Sequence, residues 1–364
     1  MKRQSLNLHM LGISMYTKNL YEMFNIDFDG TKNIFATGNK DKNFYSISNS
    51  HLLTKRKTGS PTLLFTPRFF YLLYTSNKIF FHGLFSTTRV FFFFLQPWLW
   101  KKCYWIVWGG DLYSAKTSDQ KKSFTKLKEW MKRKMIPRLA GVITLTEGDQ
   151  QLVRDWYGYH GNFYLTSYPI PLQSIGMKEK LSNRLNRKSD TINIVIGNSA
   201  TDTNHHYEVL DQLKKYKDEN IHIFLPLAYG FGEWQEYGRK VTSYATEIFG
   251  TDKVTPIVNR MSGEEYTDYM RKMNIAIYNN DRQQAMGNIA IMLAVGAKVY
   301  IRTDTNMWDH YLKLNQKMYD ISDIEHLSFE EFIDYPEDVY SHNFKVFFER
   351  NDRKKVADKW KNIL

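Results

Sequence analysis

Two polar turns in the second half of the chain have the residue types that hold a phosphate group. The first turn contains Gly197, Asn198 and Ser199 and follows a short apolar run typical of a buried strand. A glycine turn at the end of a strand leaves backbone N–H groups free to face an anion. Asn204 and His205 then open a predicted helix whose positive end would point at the same anion. This pattern predicts a phosphate cradle, with helix capping as the alternative role for Asn204.

The second turn covers residues 281–288 and lies between a predicted strand and an apolar helix. Its Arg282 could bridge phosphate oxygens, and its glycine would let the backbone approach a ligand closely. The other candidates for binding the ligand are Gln283, Gln284, Gly287 and Asn288 from this turn. Tyr229, from the loop after the predicted strand at 222–225, is a further candidate. The alternatives are a helix cap with a surface salt bridge for the turn and a core or loop position for Tyr229.

Two groups in the first half could accept a proton. Asp111 follows a buried strand and two glycines, which places its carboxylate at the carboxyl end of that strand. His82 ends another strand, before Gly83, and its ordinary pKa lies near neutrality. Either side chain could serve as a general base. Binding of a ligand or capping of a helix is the alternative role for both.

Short apolar runs alternate with helical stretches in both halves, which predicts an α/β fold with parallel strands. The predicted strands are 6–11, 33–37, 78–82, 103–108, 141–146, 162–165, 192–196, 222–225, 254–258, 275–278 and 298–301. Two consecutive series of this kind predict two Rossmann-like, doubly wound domains facing a central cleft. We expect a domain at 1–175, a polar linker at 174–191 and a second domain at 190–340. A C-terminal helix at 343–361, within a 341–364 segment, could pack back on the first domain.

Length and charge limit the classes of protein. A chain of 364 residues with 43% hydrophobic residues is long enough for two globular cores. Residues 1–190 hold 29 Lys and Arg against 12 Asp and Glu, and residues 191–364 hold 21 against 26, so the net charges of +17 and −5 sum to +12. Such an asymmetry suggests that the first half meets an anionic surface. The single cysteine, Cys103, excludes an internal disulfide framework.

A basic amphipathic stretch at 116–138 is the strongest membrane candidate. Apolar residues recur there at helical spacing beside many cations, a pattern typical of helices that lie on anionic membranes. The membrane-facing residues predicted from it are Lys121, Lys122, Lys126, Trp130, Arg133 and Lys134. The nearby apolar run at 90–99 is too short to span a bilayer. It predicts either an interfacial element or a buried strand or helix.

Several motifs resemble glycosyltransferase family 56, the 4-acetamido-4,6-dideoxygalactose (Fuc4NAc) transferases of enterobacterial common antigen synthesis. In chain order the motifs are FFHG at 80–83, WIVWGGDLY at 105–113, IVIGNSATDTNHH at 194–206, LPLAYG at 225–230, RQQAMGN at 282–288 and AVGAKVYI at 294–301. Their order and spacing match from near the start of the chain to about residue 309. The linker region and the last fifty residues match poorly.

This resemblance implies a GT-B fold and an inverting transferase that takes a dTDP- or UDP-sugar and a polyprenyl-diphosphate-linked glycan. We expect a peripheral enzyme at the cytoplasmic face of the bacterial inner membrane. Because of its position after a buried strand, Asp111 is the expected base, with His82 as the second candidate. No cofactor or metal is expected, because basic side chains and helix ends can neutralise the leaving diphosphate. The alternatives are a nucleotide-sugar epimerase of the same fold and a non-catalytic basic module that binds an anionic membrane or nucleic acid.

Overall fold

The computed structural model describes residues 6–12, 14–28, 32–37, 52–54, 67–116, 123–170, 191–230, 232–261 and 263–364. The chain divides into two compact units. The first comprises Met1–Ile170 and Asp352–Leu364, and the second comprises Pro171–Asn351. The predicted linker lies outside the described residues, apart from Thr191.

The described residues of the first unit form a seven-stranded parallel sheet. Its strands are β1 (Leu6–Leu11), β2 (Lys32–Thr37), β3 (Leu52–Thr54), β4 (Lys78–His82), β5 (Cys103–Ile106), β6 (Gly141–Thr144) and β7 (Phe163–Leu165). Their order across the sheet is β3-β2-β1-β4-β5-β6-β7. The direction of winding therefore reverses between β1 and β4.

Helices connect these strands and cover both faces of the sheet. They are α1 (Met15–Asp27), α2 (Pro67–Thr75), α3 (Thr87–Phe94), α4 (Gly110–Tyr113), α5 (Ser123–Met135) and α6 (Glu147–Tyr157). Strand β4 shows why its sequence is almost wholly apolar. Ile79 and Phe81 belong to the core on one face, and Phe80 belongs to the core on the other. Because side chains alternate along a strand, a sheet buried on both faces needs a continuous apolar run.

In the second unit, the described residues form a six-stranded parallel sheet. Its strands are β8 (Ile192–Ile196), β9 (Ile221–Pro226), β10 (Val254–Ile257), β11 (Ile275–Tyr278), β12 (Lys298–Ile301) and β13 (Tyr319–Asp320). Their order is β10-β9-β8-β11-β12-β13, so the winding reverses between β8 and β11. The predicted α/β class with two doubly wound sheets is confirmed.

The helices of the second unit follow the same alternation. They are α7 (His206–Leu213), α8 (Trp234–Phe249), α9 (Gly263–Met270), α10 (Met286–Ala294), α11 (Asn306–Lys313), α12 (Phe329–Ile333) and α13 (Glu337–Asn351). Most residues of α10 are buried, including Ile289, Ile291, Met292 and Leu293. This burial accounts for the apolar sequence that follows the second polar turn.

All eleven predicted strands are present, with ends within two residues of the expected positions. Strands β3 and β13 were not predicted, because three and two residues are too few to produce a periodic pattern. The basic amphipathic stretch predicted at 116–138 becomes α5 in the described residues, and this helix ends at Met135. A 3-10 turn at Ile136–Arg138 follows, because Pro137 cannot continue an α-helix.

The prediction of one C-terminal helix at 343–361 is wrong. Helix α13 ends at Asn351, and a separate helix, α14 (Arg353–Lys361), follows. Asp352 separates them, since its carboxylate accepts hydrogen bonds from the backbone N–H groups of Lys354 and Lys355. An aspartate in this role starts a new helix. Helix α14 lies in the first unit, where the buried indole of Trp360 donates to the carbonyl oxygen of Ser167.

The apolar run at 90–99 forms α3 and the start of a 3-10 turn at Pro97–Lys102. Val90 and Phe93 are buried, whereas Phe91 and Trp98 are exposed. The run is therefore a helix with both a core face and a solvent face. In the described part of the chain, no helix has the length and apolarity that a membrane crossing requires.

Candidate functional site

The turn after β8 lies at the point where the second sheet reverses its winding, which is where sheets of this type bind ligands. Gly197 opens this turn with φ of 67°, a left-handed conformation that favours glycine. A Cβ atom on Gly197 would lie 2.6 Å from Nε2 of His206 and 2.9 Å from Oδ1 of Asn204. Glycine is therefore required both by the backbone and by the close packing of the turn.

The side chain of Asn204 fixes the shape of this turn through hydrogen bonds. Its Oδ1 accepts a hydrogen bond from the backbone N–H of Asn198 at 2.9 Å. Its Nδ2 donates to the Ser199 carbonyl oxygen at 3.0 Å and to Oγ1 of Thr201 at 2.8 Å. The side chain is fully buried and does not cap α7. The capping alternative for Asn204 is thus wrong, and its role is to fix the shape of the turn.

Side-chain hydrogen bonds join the loops that follow three neighbouring strands. Nε2 of Gln284 donates to Oδ1 of Asn198 at 2.8 Å, and Oε1 of Gln284 accepts from Oγ1 of Thr203 at 3.0 Å. Nδ2 of Asn198 donates to the hydroxyl of Tyr229 at 3.0 Å. The structure therefore brings together predicted residues from both polar turns and from the loop after β9.

The two helices that begin at this edge start in an unusual way. His205 precedes α7 with φ of 47°, and Ala285 precedes α10 with φ of 58°. Residues other than glycine avoid this region, and strain of this kind concentrates at functional sites. Ala285 has no polar side chain to cap α10, so the first-turn N–H groups around Gly287 and Asn288 remain suited to an anion.

His205 is placed differently from the expectation. Its Nδ1 lies 2.8 Å from Oε1 of Glu208, and its Nε2 lies 3.5 Å from Oδ2 of Asp281. The imidazole therefore bridges two carboxylates, one on α7 and one in the turn after β11.

Positive charge collects near Tyr229. The ring of Tyr229 is 44% exposed. Burial of the hydroxyl raises the pKa of Tyr229, and the hydrogen bond from Asn198 and the charges of Arg260 and Arg282 act in the opposite direction. Arg282 is itself largely buried. An exposed aromatic ring beside two guanidinium groups suits a ligand with a flat ring and a negative charge.

Two buried amides at this edge are not fully satisfied. In the described structure, neither Nδ2 nor Oδ1 of Asn280 has a hydrogen-bond partner, and Oε1 of Gln283 has none. Both residues are buried, and both follow β11. Buried polar atoms nearly always find partners, so orphan groups mark places where a ligand or water binds. Asn280 was not predicted, since its only signal in the sequence is its position just after a strand.

The corresponding edge of the first sheet holds a chain of buried hydrogen bonds. The indole of Trp108 donates to the Tyr168 oxygen at 3.0 Å, and this hydroxyl lies 2.5 Å from Nδ1 of His82. Nε2 of His82 lies 3.1 Å from Nδ1 of His9, and Nε2 of His9 lies 3.3 Å from Oδ1 of Asn33. Because Oδ1 of Asn33 can only accept, His9 donates to Asn33, His82 donates to His9 and the Tyr168 hydroxyl donates to His82.

Burial keeps both histidines neutral. Desolvation lowers the pKa of His9 to about 3, against the hydrogen bond to Asn33. Desolvation, together with the neighbouring His9 and Arg89, holds the pKa of His82 well below its ordinary value. The indole of Trp360 stacks on His82, with ring centroids 6.3 Å apart. His82 is therefore buried, with both ring nitrogens hydrogen-bonded to neighbouring side chains.

Asp111 is almost fully buried at the start of α4. Its Oδ2 accepts hydrogen bonds from the backbone N–H of Leu84 at 2.8 Å and from the indole of Trp105 at 2.6 Å. Its Oδ1 accepts from the backbone N–H of Trp108 at 2.9 Å. The carboxylate thus ties the loop after β4 to the loop after β5.

Helix α5 carries the predicted membrane-facing residues that the structure describes. Lys126, Trp130, Arg133 and Lys134 are exposed on it, whereas Lys121 and Lys122 lie outside the described residues. Lys132, which also contributed to the basic pattern, is buried and paired with Glu129 at 3.0 Å. Within the residues that the structure describes, no three His, Cys, Asp or Glu side chains form a group that could hold a metal ion.

Solved structures with the same fold include glycosyltransferases of the GT-B class. HepE from Anabaena, solved with UDP and glucose, matches with a TM-score of 0.68 at 10% identity, covering 99% of each chain. A glycosyltransferase from Rickettsia africae matches with a TM-score of 0.66 at 10% sequence identity, and the match covers 99% of this chain and 98% of that chain. Sucrose-phosphate synthase from Thermosynechococcus elongatus matches with a TM-score of 0.62 at 14% sequence identity. This match covers 99% of this chain and 96% of that chain. The chain therefore has the GT-B fold.

The family follows from the sequence itself. The model of the 4-alpha-L-fucosyltransferases, glycosyl transferase group 56, matches residues 74–331, which is more than half of the chain. The chain belongs to this family and is a glycosyltransferase. It therefore takes a nucleotide-sugar donor and an acceptor. The matched range includes both polar turns of the second unit and both candidate bases of the first.

Proposed function

We propose that this enzyme transfers a deoxy-amino sugar resembling Fuc4NAc from a dTDP- or UDP-sugar to a polyprenyl-diphosphate-linked glycan in envelope polysaccharide synthesis. The observation that carries this proposal is the polar cluster at the reversal point of the second sheet. There the Gly197 turn, the Gln284 bonds and the Arg282 charge surround the start of α10. A diphosphate suits this combination of free N–H groups and guanidinium.

Each part of the donor has a residue suited to it. The exposed ring of Tyr229 stacks on the base or ribose. Arg282 and the first turn of α10 neutralise the diphosphate as it leaves. The orphan amides of Asn280 and Gln283 find partners when the donor binds. HepE, which has the same fold, was solved with UDP and glucose.

The first unit supplies the groups for the acceptor. Transfer with inversion needs one base to take the proton of the acceptor hydroxyl. Asp111 is that base in this proposal, with His82, reached through the Tyr168 hydroxyl, as the second candidate. The three hydrogen bonds of Asp111 also give it a structural task. Loss of Asp111 is therefore expected to change both stability and rate.

The reaction proceeds without a metal ion in this proposal, because arginine and helix N–H groups take the charge that a metal would otherwise neutralise. It takes place at the cytoplasmic face of the inner membrane, since a polyprenyl chain cannot leave the bilayer. The net charge of +17 in residues 1–190 supports an anionic surface as the partner.

The test is release of nucleoside diphosphate from a panel of nucleotide sugars, with and without a polyprenyl-diphosphate glycan. We expect one donor, dTDP-Fuc4NAc or its UDP counterpart, to give acceptor-dependent release that persists in chelator. Arg282→Ala should lower kcat/KM about a hundredfold, since it removes a charge-assisted contact to phosphate. Arg239→Ala, an exposed arginine on α8, is the matched control and should leave the rate unchanged.

Other outcomes separate the competing functions. Binding of donor without transfer to any polyprenyl acceptor would contradict the proposed acceptor. Isomerisation of the sugar without transfer would indicate the epimerase. Binding of oligonucleotide with no binding of any nucleotide sugar would indicate the non-catalytic basic module.

A further inference from the structure

Several large apolar side chains of the first unit face solvent on α3, on the 3-10 turn that follows it and on α5. Trp98 is 62% exposed, Phe124 is 78% exposed and Trp130 is 49% exposed. The exposed apolar face, as we call it, consists of Phe91, Leu95, Trp98, Phe124, Leu127 and Trp130. Helices α3 and α5 touch, because the ring of Phe94 lies 5.2 Å from the ring of Trp130. Apolar surface of this extent marks an interaction site.

The charges around this face are of one sign. In the described part of residues 67–138, the only acidic residues, Asp111 and Glu129, are both buried. The exposed charged residues of the same segment are Arg68, Lys101, Lys116, Lys126, Arg133, Lys134 and Arg138. Lys126, Arg133 and Lys134 lie on the same side of α5 as Leu127 and Trp130, as their helical spacing requires. The partner of this face is therefore apolar at its centre and anionic around it.

Buried bonds fix the orientation of α5, so its apolar side cannot turn inward. Nζ of Lys132 donates to the Asp111 carbonyl oxygen at 2.6 Å and to Glu129 at 3.0 Å. The carboxylate of Glu129 also accepts from the hydroxyls of Ser114 at 2.6 Å and Tyr157 at 2.8 Å. Breaking a buried pair of this kind is strongly unfavourable. The exposure of Phe124, Leu127 and Trp130 is a fixed property of the fold.

We infer that the exposed apolar face inserts into the interfacial region of an anionic lipid surface, with α3 and α5 lying along the membrane. Indole and phenyl groups favour the headgroup level of a bilayer, and lysine and arginine beside them attract anionic headgroups. A nucleic acid would use the cations but not the aliphatic side chains Leu95 and Leu127. A second copy of the chain would bring the same cations against one another. The inference gives the membrane partner of the proposed function a defined docking face.

The test is sedimentation with vesicles of equal parts phosphatidylglycerol and phosphatidylcholine, compared with phosphatidylcholine alone. No donor or acceptor is present, so the result does not depend on whether the proposed reaction is correct. We expect binding to the anionic vesicles that weakens with salt. The double variant Leu127→Ser, Trp130→Ser should weaken it at least about tenfold. The double variant Lys126→Gln, Lys134→Gln should weaken it about thirtyfold.

Matched controls keep the result interpretable. Leu312→Ser changes an exposed leucine of the second unit, and Lys272→Gln changes an exposed lysine there. Both should bind vesicles as the unchanged protein does. Circular dichroism and thermal unfolding must match for every variant that is compared.

A probe measurement reports insertion directly. The natural thiol, Cys103, is fully buried. In the variant Leu127→Cys, the new exposed thiol can therefore be labelled selectively with an environment-sensitive dye. Its emission should shift to the blue on anionic vesicles, and the same dye on Leu312→Cys should not respond.

Three outcomes would overturn the inference. One is vesicle binding that survives the Leu127→Ser, Trp130→Ser change. Another is equal or tighter binding to single-stranded DNA that depends on Lys126 and Lys134 alone. The third is a concentration-dependent dimer in sedimentation velocity that the apolar variant abolishes.

Discussion

The two sheets share one strand order over six strands, to which the first sheet adds β7, but their carboxyl edges are filled in opposite ways. At the first edge, His9, His82 and Tyr168 form a chain of hydrogen bonds, and Trp360 from the C-terminal helix stacks on His82. At the second edge, the loops carry polar side chains, and the ring of Tyr229 is exposed. Among the described residues there, the side-chain amide of Asn280 has no hydrogen-bond partner.

This difference shows that topology alone does not make a ligand site. A reversal point offers a crevice at the ends of the strands, and the sequence decides whether the chain fills it. In the first sheet, aromatic and imidazole side chains of the protein fill the crevice. The second keeps strained helix starts and unsatisfied polar atoms, which a ligand can relieve.

The largest expected effect breaks the seal of the first edge. Trp360→Ala should lower the free energy of unfolding of the first unit by about 4 kcal/mol, since it removes a fully buried indole and leaves a cavity. Denaturant unfolding measures this. Trp98→Ala removes an exposed tryptophan of the same size and should cost less than about 1 kcal/mol. Equal losses in the two variants would contradict the sealed edge.

Asp111→Asn tests the second support of that edge. The amide has one acceptor where the carboxylate has two, so at least one of the three donors becomes unsatisfied. We expect a loss of about 2 kcal/mol in unfolding free energy. Asp155→Asn, an exposed aspartate of the same unit, should show no loss. A stable Asp111→Asn protein whose turnover is nevertheless abolished would assign Asp111 to the chemistry alone.

Two buried asparagines sharpen the contrast at the second edge. Asn204→Ala removes the hydrogen bonds that Asn204 makes to the Gly197 turn, and should cost about 2 kcal/mol in unfolding free energy. Asn280→Leu replaces an unbonded amide by a group of similar size, and should cost less than about 1 kcal/mol while weakening nucleotide binding. Calorimetric binding and denaturant unfolding test both. A large stability loss in Asn280→Leu would mean that its amide is satisfied in the free protein.

The smallest expected effect is pH dependence. Burial lowers the pKa of His9 and of His206 to about 3 and holds that of His82 well below its ordinary value. The unfolded chain binds these protons first, so stability is present above about pH 6.5 and is lost as pH falls. Each of these histidines should therefore lower the stability of the folded state as the pH falls further below that value.

Hydrogen exchange followed by mass spectrometry resolves this loss by region. The first unit has two of these three histidines, and the second has His206 together with the partly buried His222, whose pKa burial also lowers. Protection should therefore fall in both units as the pH is lowered. His326→Gln removes an exposed histidine and should leave the profile unchanged. Protection independent of pH in both units would show that the buried histidines are charged or accessible.

The sequence predicts local features of this fold well and distant associations poorly. The apolar runs predict the strands, and the two polar turns predict loops whose side chains the structure joins by hydrogen bonds. The chain of His9, His82 and Tyr168 could not be predicted, because its members are separated by 73 and 86 residues. The burial of Lys132 on the inner side of α5 could not be predicted either, since an amphipathic pattern does not tell which cations find carboxylate partners.

Binding of a nucleoside diphosphate to the second edge is the central claim, and isothermal titration of dTDP and UDP tests it most directly. We expect the unchanged protein and Arg239→Ala to bind equally well, and Arg282→Ala to bind at least about tenfold more weakly. Equal binding by all three proteins, or no binding of either nucleotide, would contradict the assignment of this edge as the donor site.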